Sequence, residues 1–320
     1  MDSIINNVRG AAMSEHNKGV LNAIVAYACW GVFPLYWKLL EQVSSMEILL
    51  SRVIWSFVFT TLFILLIGQR KNLLQDIRFL WANQKQFWTL FAASVVISIN
   101  WFTYIWAVTN GQVLQSSLGY YINPLISVLF GMLFFREKLS NATIVAVSIA
   151  GVGVTVTTFS GGTVPWIALT MAISFSIYGV LKKTIQLEAT RGLAIETLFM
   201  LPIALIYYAY IWTSNDMRFL QGDVKTDLLL MGGGIVTAIP LVLFAKGAHR
   251  IPLYLMGFIQ FLSPTITLCI GILLFKEPFT KLEFFTFGCI WIAIVIFSAS
   301  KFIEAKRRHQ IIEYPKSKLS

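Results

Sequence analysis

The chain reads as an all-α integral membrane protein of ten transmembrane helices, built as two inverted five-helix repeats with both termini cytoplasmic. Three observations carry that expectation: the composition, the recurrence of apolar runs at bilayer-spanning length, and a pattern that returns after 140 residues. Of 320 residues, 57% are hydrophobic and 12% charged, whereas soluble domains carry roughly 25% charged residues. Length alone would suggest two soluble domains. A water-soluble fold has no means of hiding this much apolar surface, so lipid must be part of the solvent.

About 20 apolar residues cross a bilayer core, and runs of that length divide the chain. The first five spans are Gly19 to Leu40, Met46 to Ile67, Phe87 to Val108, Val113 to Phe135 and Ala142 to Phe159. The second five are Pro165 to Leu181, Leu193 to Trp212, Leu228 to Ala245, Leu253 to Phe275 and Phe284 to Phe302. The organisation is therefore an N-terminal cytoplasmic segment 1–18, a first repeat 19–159, a second repeat 165–302 and a basic cytoplasmic tail 303–320. The opening residues do not have the form of a cleaved signal peptide, and Met13 is an alternative start to Met1.

Cytoplasmic loops are enriched in Lys and Arg. With Lys38 and Lys301, at the ends of their spans, counted with the adjoining segments, the N-terminus, the loops after spans 2, 4, 6 and 8 and the C-terminal tail hold 19 such residues, against 5 in the other loops. Both termini are expected inside. The net charge of +10 thus reads as an orientation signal and not as a nucleic-acid footprint, since no basic patch is studded with aromatics. Cys29, Cys269 and Cys289 fall in apolar runs and the three histidines are scattered. Neither a metal site, nor a disulfide framework, nor a cofactor is expected.

The segment NPLISVLFGMLFFREKLS from Asn123 aligns without a gap on SPTITLCIGILLFKEPFT from Ser263, with six of eighteen positions identical. The matches include Pro124 with Pro264, Gly131 with Gly271 and Glu137 with Glu277. Each half has five spans, so the second copy is inverted. Inverted repeats are an architecture of carriers, in which paired helices are broken near the midplane. Pro124 and Pro264, central in spans 4 and 9, predict those helix breaks, because a proline removes a donor and strands a carbonyl. In lipid the stranded carbonyl needs protein or a wet cavity.

Amides inside the spans, at Asn100, Asn123 and Gln260, with Ser263, are candidates for substrate contact or for interhelical hydrogen bonding. Trp30 and Tyr178 occupy corresponding places in the two halves, and with Tyr120 they offer polar-tipped aromatic surface. Charges in the hydrocarbon are functional by default unless they reach the interface. Arg52, Glu196 and Lys246 are therefore candidates for charge handling or coupling, Glu196 and Lys246 as a pair and Arg52 as the receiver of a carboxylate. The expected partners are the bilayer and a small neutral or zwitterionic amphipathic solute; homo-oligomers are compatible with the sequence. No paired aspartates, HExxH or nucleophile with a nearby base appears in the spans, so an enzyme is not expected.

Several stretches together, among them AYACWGVFPLYWKLL, INWFTYIWAVTNGQVLQSSLGYYINP and TAIPLVLFAKGAHRIPLYLMGFIQFLSP, resemble the RarD-type proteins of the EamA branch of the drug/metabolite transporter superfamily. The resemblance runs from about Gly19 to Lys301. It implies two inverted EamA repeats, a bacterial inner-membrane location and a permease, secondary-active or facilitative, that moves a metabolite or drug-like solute by alternating access, with export as the expected direction. A non-transporting sensor or assembly factor is the alternative. Gln112 and Gln115 stand where the family often shows His and Glu, which removes a titratable pair near the outer mouth. Lys182 and Lys183 stand where it often has Leu-Arg-Lys.

Overall fold

The computed structural model describes residues 14–136, 140–161, 164–248, 250–251, 255–256 and 259–313. The alternative start at Met13, most of the segment 1–18, Glu137 of the repeat pattern and the last residues of the tail lie outside the described residues. Everything described is helix or short connection, with no strand among the described residues.

Among the described residues eleven helices have defined bounds, in chain order: α1 (Glu15–Lys38), α2 (Ser45–Leu66), α3 (Arg70–Ala82), α4 (Gln84–Thr109), α5 (Val113–Phe135), α6 (Asn141–Gly161), α7 (Trp166–Lys183), α8 (Ala189–Thr213), α9 (Val224–Ala248), α10 (Leu262–Cys269, continued by a π-helical turn Ile270–Leu274) and α11 (Lys281–Glu313). Eight of them, α1, α2, α4, α5, α6, α8, α9 and α11, are long and apolar enough to cross a membrane. The helix α7 has 18 residues and ends in Lys182 and Lys183, and Leu262–Leu274 is shorter and apolar.

Helix is the form in which an apolar segment satisfies its own backbone away from water, and polar residues mark the ends. Ser14 and Ser44 accept hydrogen bonds from the amides of Asn17 and Glu47, both at 3.2 Å, as N-caps do. Arg136 and Lys276, 140 residues apart, both leave their helices in the left-handed region, at φ 55° and 53°. Burial is inverted relative to a soluble protein. Ser51, Arg52, Ser56, Ser94, Asn100, Thr103 and Thr267 are buried, while Leu66, Phe159 and Ile206 are largely exposed.

The helix pairings repeat between the halves. α1 packs on α9 as α7 packs on α4, α5 packs on α7 as α10 packs on α1, and α2 packs on α8 near the centre. Across the matched α5–α7 and α10–α1 seams, Ser127 of α5 bonds Ser176 of α7 at 2.9 Å, and Thr267 of α10, aligned with Ser127 by the 140-residue offset, donates to the Gly31 carbonyl of α1 at 3.1 Å. The contact of α2 with α9 is close because residue 234 is glycine: a Cβ there would lie 2.6 Å from the Trp55 carbonyl oxygen.

Two carboxylates tie the halves together at one end of the bundle. Glu47 of α2 accepts from the amides of Arg218 and Phe219 after α8, at 3.0 and 2.9 Å. Glu277, after α10, accepts from the amides of Val113 and Leu114, both at 2.8 Å, and so caps the start of α5. At the opposite end Arg191 of α8 meets Asp76 at 2.5 Å and Gln69 at 2.9 Å, so α2 and α8 run antiparallel.

Three expectations change. The stretch between spans 2 and 3, read as a basic loop, contains the helix α3; Leu73, Ile77 and Leu80 pack inward at helical spacing. The helix of the last span runs on past Phe302 to Glu313, so the beginning of the basic tail is helical. The two prolines are not equivalent breaks. The chain turns at Gln260 and Phe261, and Pro264 sits in the first turn of α10, where its missing N–H costs little. Pro124 stands inside the continuous helix α5.

Candidate functional site

Five helices converge on Arg52, which is 5% exposed. Its Nε donates to Thr237 Oγ1 of α9 at 2.8 Å. The hydroxyl proton of Thr237 is already committed to the Gly233 carbonyl at 2.8 Å, so the hydroxyl serves the guanidinium as acceptor. The guanidinium carbon lies 4.1 Å from the ring centroid of Trp101 and 5.5 Å from that of Trp37. Cation–π contacts of this kind strengthen as water is removed. Tyr104 stands 5.7 Å from Tyr120 between ring centroids, and both pack in the cluster that contains Trp37.

What surrounds Arg52 is rich in donors. The indole N–H of Trp37 and the hydroxyl of Tyr104 are buried and meet no hydrogen-bond partner among the described residues. None of the ion pairs among the described residues involves Arg52. Glu47, one turn and a half away on α2, is engaged by the Arg218 and Phe219 amides. A guanidinium stays protonated at any physiological pH, so the charge is held by aromatic faces and one hydroxyl.

A second polar cluster lies toward the other end. Glu196, 2% exposed, accepts from Lys182 Nζ at 2.6 Å and from the Tyr178 hydroxyl at 3.0 Å. The expected pairing of Glu196 with Lys246 is thus corrected: Lys182 from α7 reaches the carboxylate, while Lys246 is exposed at the end of α9. Residue 192 is glycine, and its bare Cα leaves room for the Lys182 ammonium, 3.0 Å from where a Cβ would stand.

The remaining candidates are spread along the helix seams. Asn100 donates to the Met171 carbonyl and to Ser174 Oγ, at 2.9 and 3.0 Å, joining α4 to α7. Asn123 Oδ1 accepts from Ser176 at 3.0 Å. Trp30 and Tyr120 pack on the cluster that contains Trp37 and Tyr104; Trp30 also contacts Tyr27 and Phe244. Gln260 is half-buried beside the turn before α10, Ser263 is buried, and the Pro264 carbonyl accepts from Ser117 of α5 at 2.8 Å. Gln115 donates to Gln112 at 3.0 Å. An apolar groove of about 470 Å³ opens between α2, α8 and α9, beginning at Phe59, two turns beyond Arg52.

Sequence reasoning did not single out Trp37, Trp101, Tyr104 or Thr237, and it named Lys182 only as a departure from the family pattern. The run Trp101-Phe102-Thr103-Tyr104 was the available signal, since positions three apart share a helix face.

A model of the EamA-like transporter family matches the chain twice, over residues 17–159 and 163–299. The chain belongs to the EamA-like transporter family. It is 47% identical to the "Uncharacterized transporter YojE" of Bacillus subtilis (strain 168), covering 92% of this chain and 99% of that protein. It is 38% identical to "Protein RarD" of Escherichia coli (strain K12), covering 88% and 94%. A solved crystal structure aligns over 87% of this chain and 96% of its own, with a TM-score of 0.57 and 17% identity, a likeness of fold alone. The RarD-type resemblance therefore holds over most of the chain, and this member of the family is a multi-pass membrane protein related to transporters.

Proposed function

We propose that the protein is an inner-membrane permease of ten spans that carries a small amphipathic solute by alternating access, probing the two faces of a bacterial plasma membrane in turn. The observation that carries this reading is the matched packing of the halves. α1 on α9 answers α7 on α4, and α10 on α1 answers α5 on α7, the relationship that an inverted repeat generates. The short helix α7 and the segment ending in α10 supply the ninth and tenth spans, and both termini lie on the cytoplasmic side. On that orientation Arg52 belongs to the outer leaflet and Glu196 to the inner one. The double match of the family model supports a division of the chain into repeats 19–159 and 165–302.

Rocking of two halves about a shared centre needs seams that exchange hydrogen bonds without exposing bare polar groups to lipid. Asn123 with Ser176, and the Pro264 carbonyl with Ser117, are seams of that kind. No phosphate-binding loop is present in the sequence, so the driving force is a solute or ion gradient. Export is the direction proposed. The test is efflux of a trapped solute from liposomes: purified protein is expected to accelerate it, and Asn123→Leu or Gln260→Leu to slow it with helical content unchanged. A set of liposomes no leakier than protein-free controls across a broad metabolite panel would leave the sensor or assembly role in its place.

A further inference from the structure

We propose that the Arg52 cluster is the carboxylate-binding subsite of this permease, taking monocarboxylates that carry a flat apolar body. The proposal rests on the permease reading above and names the substrate class that this centre would accept.

The argument begins with an imbalance of donors. Within the cluster, Arg52 spends Nε on Thr237, and its other two nitrogens have no acceptor among the described residues. Separately, the Trp37 indole N–H and the Tyr104 hydroxyl are buried without a partner among the described residues, at 1% and 3% exposure. A buried donor without an acceptor costs free energy, and a buried charge without a counterion costs more. A group that brings only acceptors and one negative charge answers all of these at once. A carboxylate does so with two parallel N–H···O bonds to the outer edge of a guanidinium.

The geometry around the charge selects the rest of the ligand. The Arg52 guanidinium carbon lies over the Trp101 ring, 4.1 Å from its centroid, so an aromatic face stands directly beside the charge. Trp37, Trp101, Tyr104 and Tyr120 present ring surface on α1, α4 and α5. Aromatic walls favour a planar apolar body through offset or edge-to-face contact. The two carboxylates carried within α2 and α8 are already engaged: Glu47 is tied to the backbone after α8 and Glu196 to Lys182 and Tyr178.

The test uses the full-length protein in lipid nanodiscs and its intrinsic tryptophan fluorescence, which Trp37 and Trp101 place at the site. Phenylacetate, benzoate and indole-3-acetate are titrated beside their uncharged amides. The expected result is saturable binding of at least one acid, about tenfold or more tighter than its amide. Arg52→Gln abolishes that preference and Arg52→Lys keeps part of it. Tyr104→Phe, which deletes one oxygen and keeps the packing, weakens the acid severalfold and leaves the amide unchanged. Absence of binding by all three acids, equal binding of acid and amide, or an unaltered preference in either Arg52→Gln or Tyr104→Phe would overturn the assignment. Liposome flux separates the two readings: flux of neutral solutes without carboxylate binding removes the subsite and keeps the permease, and carboxylate binding without flux of any solute does the reverse.

Discussion

Arg52 and Glu196 occupy the same station with opposite charge. Each lies eight positions past the N-cap of its helix, Ser44 for α2 and Glu188 for α8, and these two antiparallel helices pack on each other. At 1.5 Å per residue, each charge sits roughly 10 Å in from its own end of the bundle. Glu196 has its counter-charge in Lys182, whereas Arg52 has only aromatic faces and Thr237.

That asymmetry predicts unequal consequences of mutation at the Glu196 cluster. The Lys182 side chain is 24% exposed and that of Glu196 is 3% exposed. Lys182→Gln strands a buried carboxylate and is expected to cost about 3 kcal/mol, near the lower end of the range for breaking a buried pair. Glu196→Gln keeps an acceptor for Tyr178 and lets the ammonium turn toward water, at about 1 kcal/mol. Thermal unfolding of both variants in one detergent checks the order; a more stable Lys182→Gln would contradict it. In a flux assay, Glu196→Gln is also expected to alter the pH dependence of transport if this carboxylate couples protons.

Gly234→Ala is expected to destabilise the protein by about 1–3 kcal/mol, the range for overpacking. The added methyl would meet main-chain atoms, the Trp55 carbonyl oxygen at 2.6 Å and the Ser56 nitrogen at 2.7 Å, and main chain in two packed helices yields little. Because Arg52 and Thr237 are held together across this same α2–α9 contact, the variant also loosens the guanidinium. Guanidinium exchange followed by NMR reads that loosening, and a variant as stable as the parent would refute the packing argument.

Glu277→Ala removes the cap from two amides of α5. The expected loss is about 1–2 kcal/mol, as for other N-terminal caps, with faster hydrogen exchange confined to Val113 and Leu114 and their near neighbours. Uniform acceleration through all helices would mean that Glu277 acts by another route.

At the start of α8 a carboxylate predicts pH dependence. Burial acts to raise the Glu188 carboxyl, and the amides of Thr190 and Arg191 outweigh it and hold the group below its ordinary value. A lowered folded-state pKa stabilises the fold above the unfolded value and loses that contribution as pH falls through the folded one. The stabilisation is therefore complete above about pH 5 and fades below about pH 4. Glu188→Gln is expected to flatten the stability profile in that window and to leave the profile near neutrality parallel to the parent's.

Much of the helical framework was legible because lipid imposes a length on every crossing segment. The span Val113 to Phe135 coincides with α5, and Met46 to Ile67 differs from α2 by one residue at each end. α3 was missed since its basic residues, Arg70, Lys71 and Arg78, dominate a segment that is apolar on one face only. The turn at Gln260 was placed four residues late because proline was read as the breaker, when here it begins the next helix. Arg52 could be picked out as a lone charge in an apolar run. Its aromatic surround could not, because Trp37, Trp101, Tyr120 and Thr237 come from four other helices, and no spacing within one helix encodes which faces meet.

The grip of Glu277 on Val113 and Leu114, and of Glu47 on Arg218 and Phe219, is made to main chain. Such a clasp is indifferent to the identity of the residues it holds, proline excepted. The residues it fastens can therefore be exchanged for others without loosening the closure between the halves.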